Sequence, residues 1–238
     1  ERLAVLPRGM RTLATTSPLL TLVGLIACGS PPKQAAAPAA TSDAAPAGQA
    51  DTPETLPETA APAARSAAHA CEAGKASECI ALGVGYQNGA LGLPASDARA
   101  ADLYQRACDL GDTKGCNNLA VMFEKGEGRA ADAKRALELY GKSCEAKHAL
   151  ACRNLGRFYR DGLGGSADAA KAKAAFGTAR ELSTRACGSG VAEGCSNLGF
   201  MYRSGAEGIA KDEKRATEYL KRACQMGYRA VCSLVSPQ

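Results

Sequence analysis

The sequence predicts an all-α fold, a solenoid of stacked αα-hairpin repeats stapled by disulfides. Three observations predict it. Ten cysteines form five pairs with one shared spacing, the pairs recur with a nearly constant period, and apolar residues between them follow helical spacing. The 238-residue chain has no tryptophan and only 5% aromatic residues, a composition that favours helices packed through small side chains.

The two cysteines of every pair stand eight positions apart, and successive pairs begin 37, 36, 43 and 37 residues apart. One continuous helix would separate the cysteines of a pair by about 12 Å. A disulfide needs Cα atoms roughly 4.4–6.8 Å apart. The cysteines are therefore either unbonded or separated by a turn of the chain. The pairs are Cys71 and Cys79, Cys108 and Cys116, Cys144 and Cys152, Cys187 and Cys195, and Cys224 and Cys232.

The residues inside the pairs favour the turn. Glycine stands third after the first cysteine in four pairs, where it suits the left-handed residue that ends a helix; these are Gly74, Gly111, Gly190 and Gly227. Lys147 takes that place in the remaining pair, and we expect it to be the most strained of the five. Zinc sites and redox pairs are the alternatives, but both use closer cysteine spacings. We therefore interpret the pairs as structural disulfides, and both histidines of the chain, His69 and His148, as solvated side chains.

A first helix is predicted after each of the first four pairs, because four positions repeat there. Leucine, a small residue and an aromatic residue follow the second cysteine by three, four and seven positions, and share one helical face. The small residue lets a neighbouring helix approach closely, and a glycine ends the helix. The positions are Leu82, Leu119, Leu155 and Leu198; Gly83, Ala120, Gly156 and Gly199; Tyr86, Phe123, Tyr159 and Tyr202; and Gly89, Gly126, Gly162 and Gly205.

A second helix is predicted before each following pair, with Asp97, Asp132 and Asp212 as N-caps. The third repeat is seven residues longer than the others. Seven residues are two helical turns less about 20°, so this second helix can lengthen while Cys187 stays on the inner face. We expect two sets of contacts along it, Ala172 with Phe176 and Ala179 with Leu182.

The first seventy residues differ in composition from the rest. Residues 1–27 are predicted to be a signal peptide, with Met10 as an alternative start, and the apolar run before Cys28 is too short to span a bilayer. The stretch Leu25–Gly29 resembles a bacterial lipoprotein box, which implies a lipid on Cys28; an ordinary secretory signal or an uncleaved anchor is the alternative. Residues 28–70 are rich in alanine and proline and are predicted to be a disordered tether. Residues 71–238 form the predicted repeat domain.

The repeated pattern Leu-Gly-x-x-Tyr-x-x-Gly, followed by Asp-x-x-(Lys/Arg)-Ala and Tyr-x-(Lys/Arg)-Ala, resembles the Sel1-like repeat, a relative of the tetratricopeptide repeat. The cysteine pair in every repeat resembles the secreted cysteine-rich branch of that family. The resemblance covers Cys71 to about Leu234. It implies a right-handed superhelix of four full repeats, ending in a single capping helix, and a monomeric protein.

The resemblance also implies a concave surface that binds protein or peptide partners. We expect three recurring groups of residues on it: asparagines that bond an extended peptide, adaptable apolar side chains, and arginines that meet a carboxylate. Hydrogen bonding within the fold is the alternative role of the asparagines. The groups are Asn118, Asn154 and Asn197; Met122, Phe158 and Met201; and Arg153 and Arg157.

Some cysteine-rich members of the family carry a β-lactamase or penicillin-binding label, and this is the alternative function. The sequence offers little for it, because the Ser-x-x-Lys match Ser30–Lys33 lies in the predicted tether and Lys-Thr-Gly is missing. We predict no catalytic residue, metal or cofactor.

Basic and acidic residues are interleaved along the sequence, and the net charge is +5. Because no cluster of basic residues stands out, nucleic-acid binding is not predicted. Gly29 after Cys28 favours the bacterial outer membrane as the location.

Overall fold

The computed structural model describes residues 56–206 and 208–235, and this part of the chain is all-helical. Helices that follow one another in the chain pack against one another. This arrangement confirms the predicted solenoid of αα-hairpins. The helices are α1 (Pro62–Glu72), α2 (Ala76–Asn88), α3 (Asp97–Asp109), α4 (Thr113–Lys125), α5 (Ala133–Glu145), α6 (Ala149–Asp161), α7 (Ala169–Gly188), α8 (Ala192–Ser204) and α9 (Glu213–Gln225), followed by a 3₁₀ helix at Arg229–Leu234.

The folded part begins earlier than the sequence predicts. Leu56 is buried, and α1 begins at Pro62 and buries Ala64, Ala67 and Ala68 against the rest of the stack. The prediction of a disordered tether is therefore wrong for residues 56–70. Large apolar side chains are scarce in this segment. A helix rich in alanine can nevertheless be stable when it packs against an existing surface. The predicted signal peptide, the lipid site Cys28 and the tether up to residue 55 lie outside the described residues. None of the described helices has the length and apolarity needed to cross a membrane.

All five cysteine pairs are bonded, with Cα–Cα distances of 4.5–5.0 Å. Each bond joins the end of one helix to the start of the next, as Cys108 in α3 and Cys116 in α4 illustrate. The predicted turn is present in every pair, because the third residue after the first cysteine has a positive φ. The angles are +87° at Gly74, +88° at Gly111, +66° at Lys147, +85° at Gly190 and +90° at Gly227.

Replacement of Lys147 by glycine should stabilise the protein. A left-handed conformation costs a residue with a side chain about 1 kcal/mol relative to glycine, so we expect a gain of that size in the free energy of unfolding. Urea unfolding of Lys147→Gly measures it. Lys147→Ala is the matched control, because it removes the charge and keeps the backbone strain. An equal gain in both variants would assign the effect to the charge and contradict the strain.

The inner helices α4, α6 and α8 are each flanked by two outer helices, one from the preceding hairpin and one from their own. The small residues predicted on them lie where the helices cross. A Cβ atom at Gly156 would stand 2.8 Å from Cγ of Phe176 in α7, and one at Gly199 would stand 2.6 Å from Cγ of Leu220 in α9. Helix pairs can approach this closely only because the side chain is missing. The predicted role of these positions is confirmed.

Helix ends and lengths agree with the sequence except in two places. Asp132 and Asp212 cap α5 and α9 as predicted, but α3 is capped by the Ser96 hydroxyl, and Asp97 is the first helical residue. The long third repeat does lengthen its second helix, since α7 has 20 residues against 13 in α3, α5 and α9. The predicted last helix is instead a 3₁₀ helix of six residues, Arg229–Leu234.

Candidate functional site

A groove of about 490 Å³ opens along the N-terminal halves of α4, α6 and α8, and we call it the inner groove. Because each inner helix is covered on two sides by outer helices, only a strip of it remains to form the groove wall. The groove is lined by Ile80, Lys114, Asn117, Asn118, Lys147, His148, Ala149, Leu150, Arg153, Leu182, Ala186, Val191, Glu193, Gly194, Ser196, Asn197, Phe200 and Tyr228.

The recurring asparagines divide between the groove and the fold. Asn118 and Asn197 line the groove, and Asn154 does not. Asn154 donates from Nδ2 to Oδ1 of Asn117 at 3.3 Å, and Asn117 donates from Nδ2 to Oδ1 of Asn118 at 3.4 Å. The first of these bonds links α6 to α4, and the second lies within α4. The alternative role, hydrogen bonding within the fold, therefore applies to Asn154 and in part to Asn118.

The three apolar residues predicted on the binding surface belong to the core. Met122, Phe158 and Met201 are 0%, 1% and 1% exposed, so this prediction is wrong. Each inner helix packs against two outer helices. The second of these contacts buries a helix face that the sequence analysis placed on the binding surface. Phe158, for example, meets Tyr140 of α5 edge to face, with ring centroids 5.1 Å apart.

The two arginines predicted to bind a carboxylate have different surroundings. Nη2 of Arg157 donates to both carboxylate oxygens of Glu124 at 2.7 Å, and the Tyr140 hydroxyl donates to the same carboxylate at 2.7 Å. Burial and the hydrogen bond to Glu124 raise the pKa of Tyr140. Arg157 thus has an internal carboxylate as its partner and is absent from the groove wall.

Arg153 lies in the groove wall and has no such partner. Its Nη1 is fully buried and makes no hydrogen bond to any described residue, and its guanidinium stands 5.3 Å from the ring centroid of Phe200. Burial, with repulsion from Arg157, lowers the pKa of Arg153 to about 10. The side chain therefore stays charged at neutral pH. The groove therefore contains a half-buried cation that no carboxylate in the described part of the chain pairs with.

His148 departs from the sequence prediction of a solvated side chain. It precedes α6, is half-buried in the groove wall, and its Nδ1 is buried with no hydrogen-bond partner in the described residues. Burial lowers the pKa of His148, Lys114 lowers it further, and Asp112 opposes them. The imidazole is therefore mainly neutral at neutral pH. His69 is exposed, as predicted.

The groove residues that the sequence analysis missed occupy two recurring positions. One position directly follows the second cysteine of each pair; the sequence analysis named Arg153 there but missed Ile80, Asn117 and Ser196. The other lies two residues before that cysteine, and its occupants in the groove are Lys114, Leu150 and Glu193. Both positions change residue type from repeat to repeat, whereas the core positions keep theirs. This variation between repeats could have identified the groove positions from the sequence.

The chemistry of the groove is mixed. Apolar surface comes from Leu150, Leu182 and Phe200, and amides come from the asparagines. Three cationic side chains line it against one carboxylate, Glu193. The described residues contain no group of three or more His, Cys, Asp or Glu arranged to hold a metal ion. The arrangement suits a ligand that combines an anionic group, hydrogen-bonding groups and an apolar part.

The comparisons with known proteins agree with the repeat pattern. The family model described as Sel1 repeat matches residues 79–112, 113–148, 149–174 and 192–228, which is more than half of the chain. Over 61 residues, the chain is 36% identical to "Cytochrome c oxidase assembly factor 7A" of Xenopus laevis, covering 26% of this chain and 26% of that protein. The match thus spans about a quarter of the frog protein.

Two solved structures resemble the chain at low sequence identity. One is a Sel1 repeat protein from Oxalobacter formigenes, with a TM-score of 0.46, 24% identity, and coverage of 68% of this chain and 63% of that chain. The other is cysteine rich protein B of Helicobacter pylori, with a TM-score of 0.34, 19% identity, and coverage of 72% and 91%.

Proposed function

The chain belongs to the Sel1 repeat family, and we propose that it is a lipid-anchored extracytoplasmic scaffold that binds a protein or peptide through the inner groove. The observation that carries the proposal is the groove itself. Its volume of about 490 Å³ falls in the range of about 300–1,000 Å³ typical of ligand sites, and it combines apolar walls with a few polar groups.

The chemistry of the wall supports a polypeptide ligand. Side-chain amides such as Asn118 and Asn197 offer both donors and acceptors, which are the groups that an extended backbone needs. The wall is also rigid, because disulfides join α3 to α4, α5 to α6 and α7 to α8. A rigid site loses little conformational entropy when it binds, which favours affinity.

The disulfides also support the proposed location. Bonds of this kind persist in oxidising compartments such as the bacterial periplasm and the cell surface. We propose that a lipid on Cys28 holds the protein at the outer membrane and that the segment after it spaces the repeats from the bilayer. Cys28→Ser should move the protein from the membrane pellet to the soluble fraction. A variant that stays in the pellet after a high-salt wash would contradict the lipid anchor.

A bulky residue in the groove should abolish partner capture. Ala149 is the first residue of α6, is half-buried and lines the groove, so Ala149→Trp fills space that a ligand needs. We expect the tagged wild type to retain a specific set of proteins from detergent-solubilised envelope, measured by mass spectrometry, and Ala149→Trp to lose them at least tenfold.

The matched control is Ala169→Trp. Ala169 is likewise the first residue of its helix, α7, but it is exposed and lies outside the groove wall. This variant should retain the same proteins as the wild type. Circular dichroism checks that both variants keep their helices. Equal retention by Ala149→Trp and Ala169→Trp would contradict binding through the inner groove.

A further inference from the structure

We propose that the ligand of the inner groove is an acidic polypeptide segment, in which an Asp or Glu side chain binds the guanidinium of Arg153. This inference rests on the proposed function and names the chemistry of its partner. It also separates the two arginines that sequence reasoning grouped together. Arg157 already has Glu124 as its carboxylate, with both oxygens 2.7 Å from Nη2.

The unmatched charge of Arg153 is the first argument. Buried charges in proteins are paired or bound, because removing an ion from water without compensation is costly. Nη1 of Arg153 is buried, and no carboxylate in the described part of the chain pairs with this side chain. A carboxylate that entered the groove would supply the negative charge that this guanidinium lacks.

The shape of the donor is the second argument. The Phe200 ring lies beside the guanidinium at 5.3 Å, and it restricts how the side chain can turn. A guanidinium directs its N–H groups outward in its own plane, and that fork matches the two oxygens of a carboxylate. Arg153 is thus held ready for a planar anion.

The other charges around Arg153 also favour an acidic ligand. Lys114 and Lys147 add two cations to the wall, and Glu193 adds one carboxylate. Asp112 lies near the rim and accepts a hydrogen bond from the backbone of Lys114 at 2.8 Å, and His148 is mainly neutral. Three cations therefore stand against two carboxylates, and the groove keeps a net positive charge that a ligand carboxylate can balance.

The apolar wall defines the rest of the ligand. Leu150 precedes Arg153 by one helical turn, and Leu182 and Phe200 face the same groove from α7 and α8. An acidic residue bound at Arg153 would place its neighbours in the segment against this surface. We therefore expect an apolar or aromatic residue close in sequence to the acidic one.

Defined peptide pools test the proposal. Two pools of nine-residue peptides, acetylated and amidated at their ends, carry Glu or Gln at the centre and random residues elsewhere. Each is passed over the immobilised Cys28→Ser protein and the retained peptides are quantified by mass spectrometry. We expect the Glu pool to be retained at least tenfold more than the Gln pool, with apolar residues enriched beside the glutamate.

Variants of Arg153 assign the preference to one side chain. Arg153→Gln should abolish the difference between the pools, and Arg153→Lys, which keeps the charge without the fork, should retain part of it. Arg160→Gln is the matched control, because Arg160 is in the same helix, is paired with Asp161 and is outside the groove wall. It should behave as the wild type. Far-ultraviolet circular dichroism confirms that all three variants fold.

The outcomes separate this inference from the proposed function. Equal retention of both pools, or failure to retain the Glu pool, would overturn the inference; loss of capture in Ala149→Trp would still support the groove. A third pool with central Gln and a free C-terminal carboxylate provides the last arm. If only this pool were retained in an Arg153-dependent manner, the ligand would be a chain terminus, and the proposed acidic side chain would be wrong.

Discussion

Reduction of all five disulfides should unfold the repeat domain at 25 °C and neutral pH. Each bond closes a short loop of the same length, and the chain-entropy model gives about 2.5 kcal/mol for a loop of this size. Five bonds therefore contribute about 12 kcal/mol, which is comparable to the whole stability of a typical domain, about 5–15 kcal/mol. A core rich in alanine cannot replace that contribution.

The experiment reduces the Cys28→Ser protein in denaturant and then dilutes it into buffer with or without reductant. Denaturant is needed because the cysteines of the first four pairs are buried. We expect the helical circular dichroism signal to return fully only where the bonds can re-form. A full helical signal with ten free thiols would contradict the expectation and show that the core alone holds the fold.

Removal of a single disulfide measures how much one bond contributes to the stability that is lost when all five are reduced. The double variant Cys108→Ser with Cys116→Ser should lose about 2–3 kcal/mol in the free energy of unfolding, measured by urea titration.

Without denaturant, reductant should reach the bond Cys224–Cys232 first, because both of its cysteines are only partly buried. Mass spectrometry of trapped thiols gives the order of reduction.

The fold could be predicted because the same local rules apply in every repeat. A disulfide between cysteines eight residues apart required a turn, and glycine indicated where the chain would turn. The small residues at Gly156 and Gly199 indicated where helices would cross closely. None of these inferences depended on contacts between residues distant in sequence. The start of the fold did depend on such contacts: α1 is stable because it docks on α2, and its alanines carry no signal of that partner.

The binding surface was harder to predict for a related reason. A pattern of apolar residues identifies the face of a helix that contacts one neighbour, but each inner helix has two. Met122 was predicted to be exposed because the second neighbour was not counted. Arg153 and Arg157 are equivalent by type in the sequence, and only the structure shows that Glu124 is within reach of one of them. Charge pairing across helices therefore decided which arginine is available.

Alanine in place of Gly164 should destabilise the protein by about 2–5 kcal/mol. Gly164 follows α6 and has φ +73°, a conformation that costs a residue with a Cβ atom about 1–2 kcal/mol. An added Cβ would also stand 2.3 Å from the carbonyl oxygen of Ala133 at the start of α5. Backbone cannot move aside as a side chain can, and overpacking of this kind costs about 1–3 kcal/mol. A Cβ added at Gly128 would likewise stand 2.2 Å from the carbonyl oxygen of Asp97 in α3, so the close approach recurs between repeats.

Two other glycines serve as controls for the Gly164→Ala variant. Gly165, its neighbour in the chain, does not have positive φ, and a Cβ there would meet only Cδ2 of Leu137 at 3.9 Å. Gly165→Ala should therefore leave the urea midpoint nearly unchanged. Gly177 lies inside α7 with no atom within 4 Å of an added Cβ, so Gly177→Ala should raise the free energy of unfolding by up to about 1 kcal/mol. If Gly164→Ala were as stable as Gly165→Ala, the loop would be free to move away from α5, and the close contact would not restrain the stacking of the repeats.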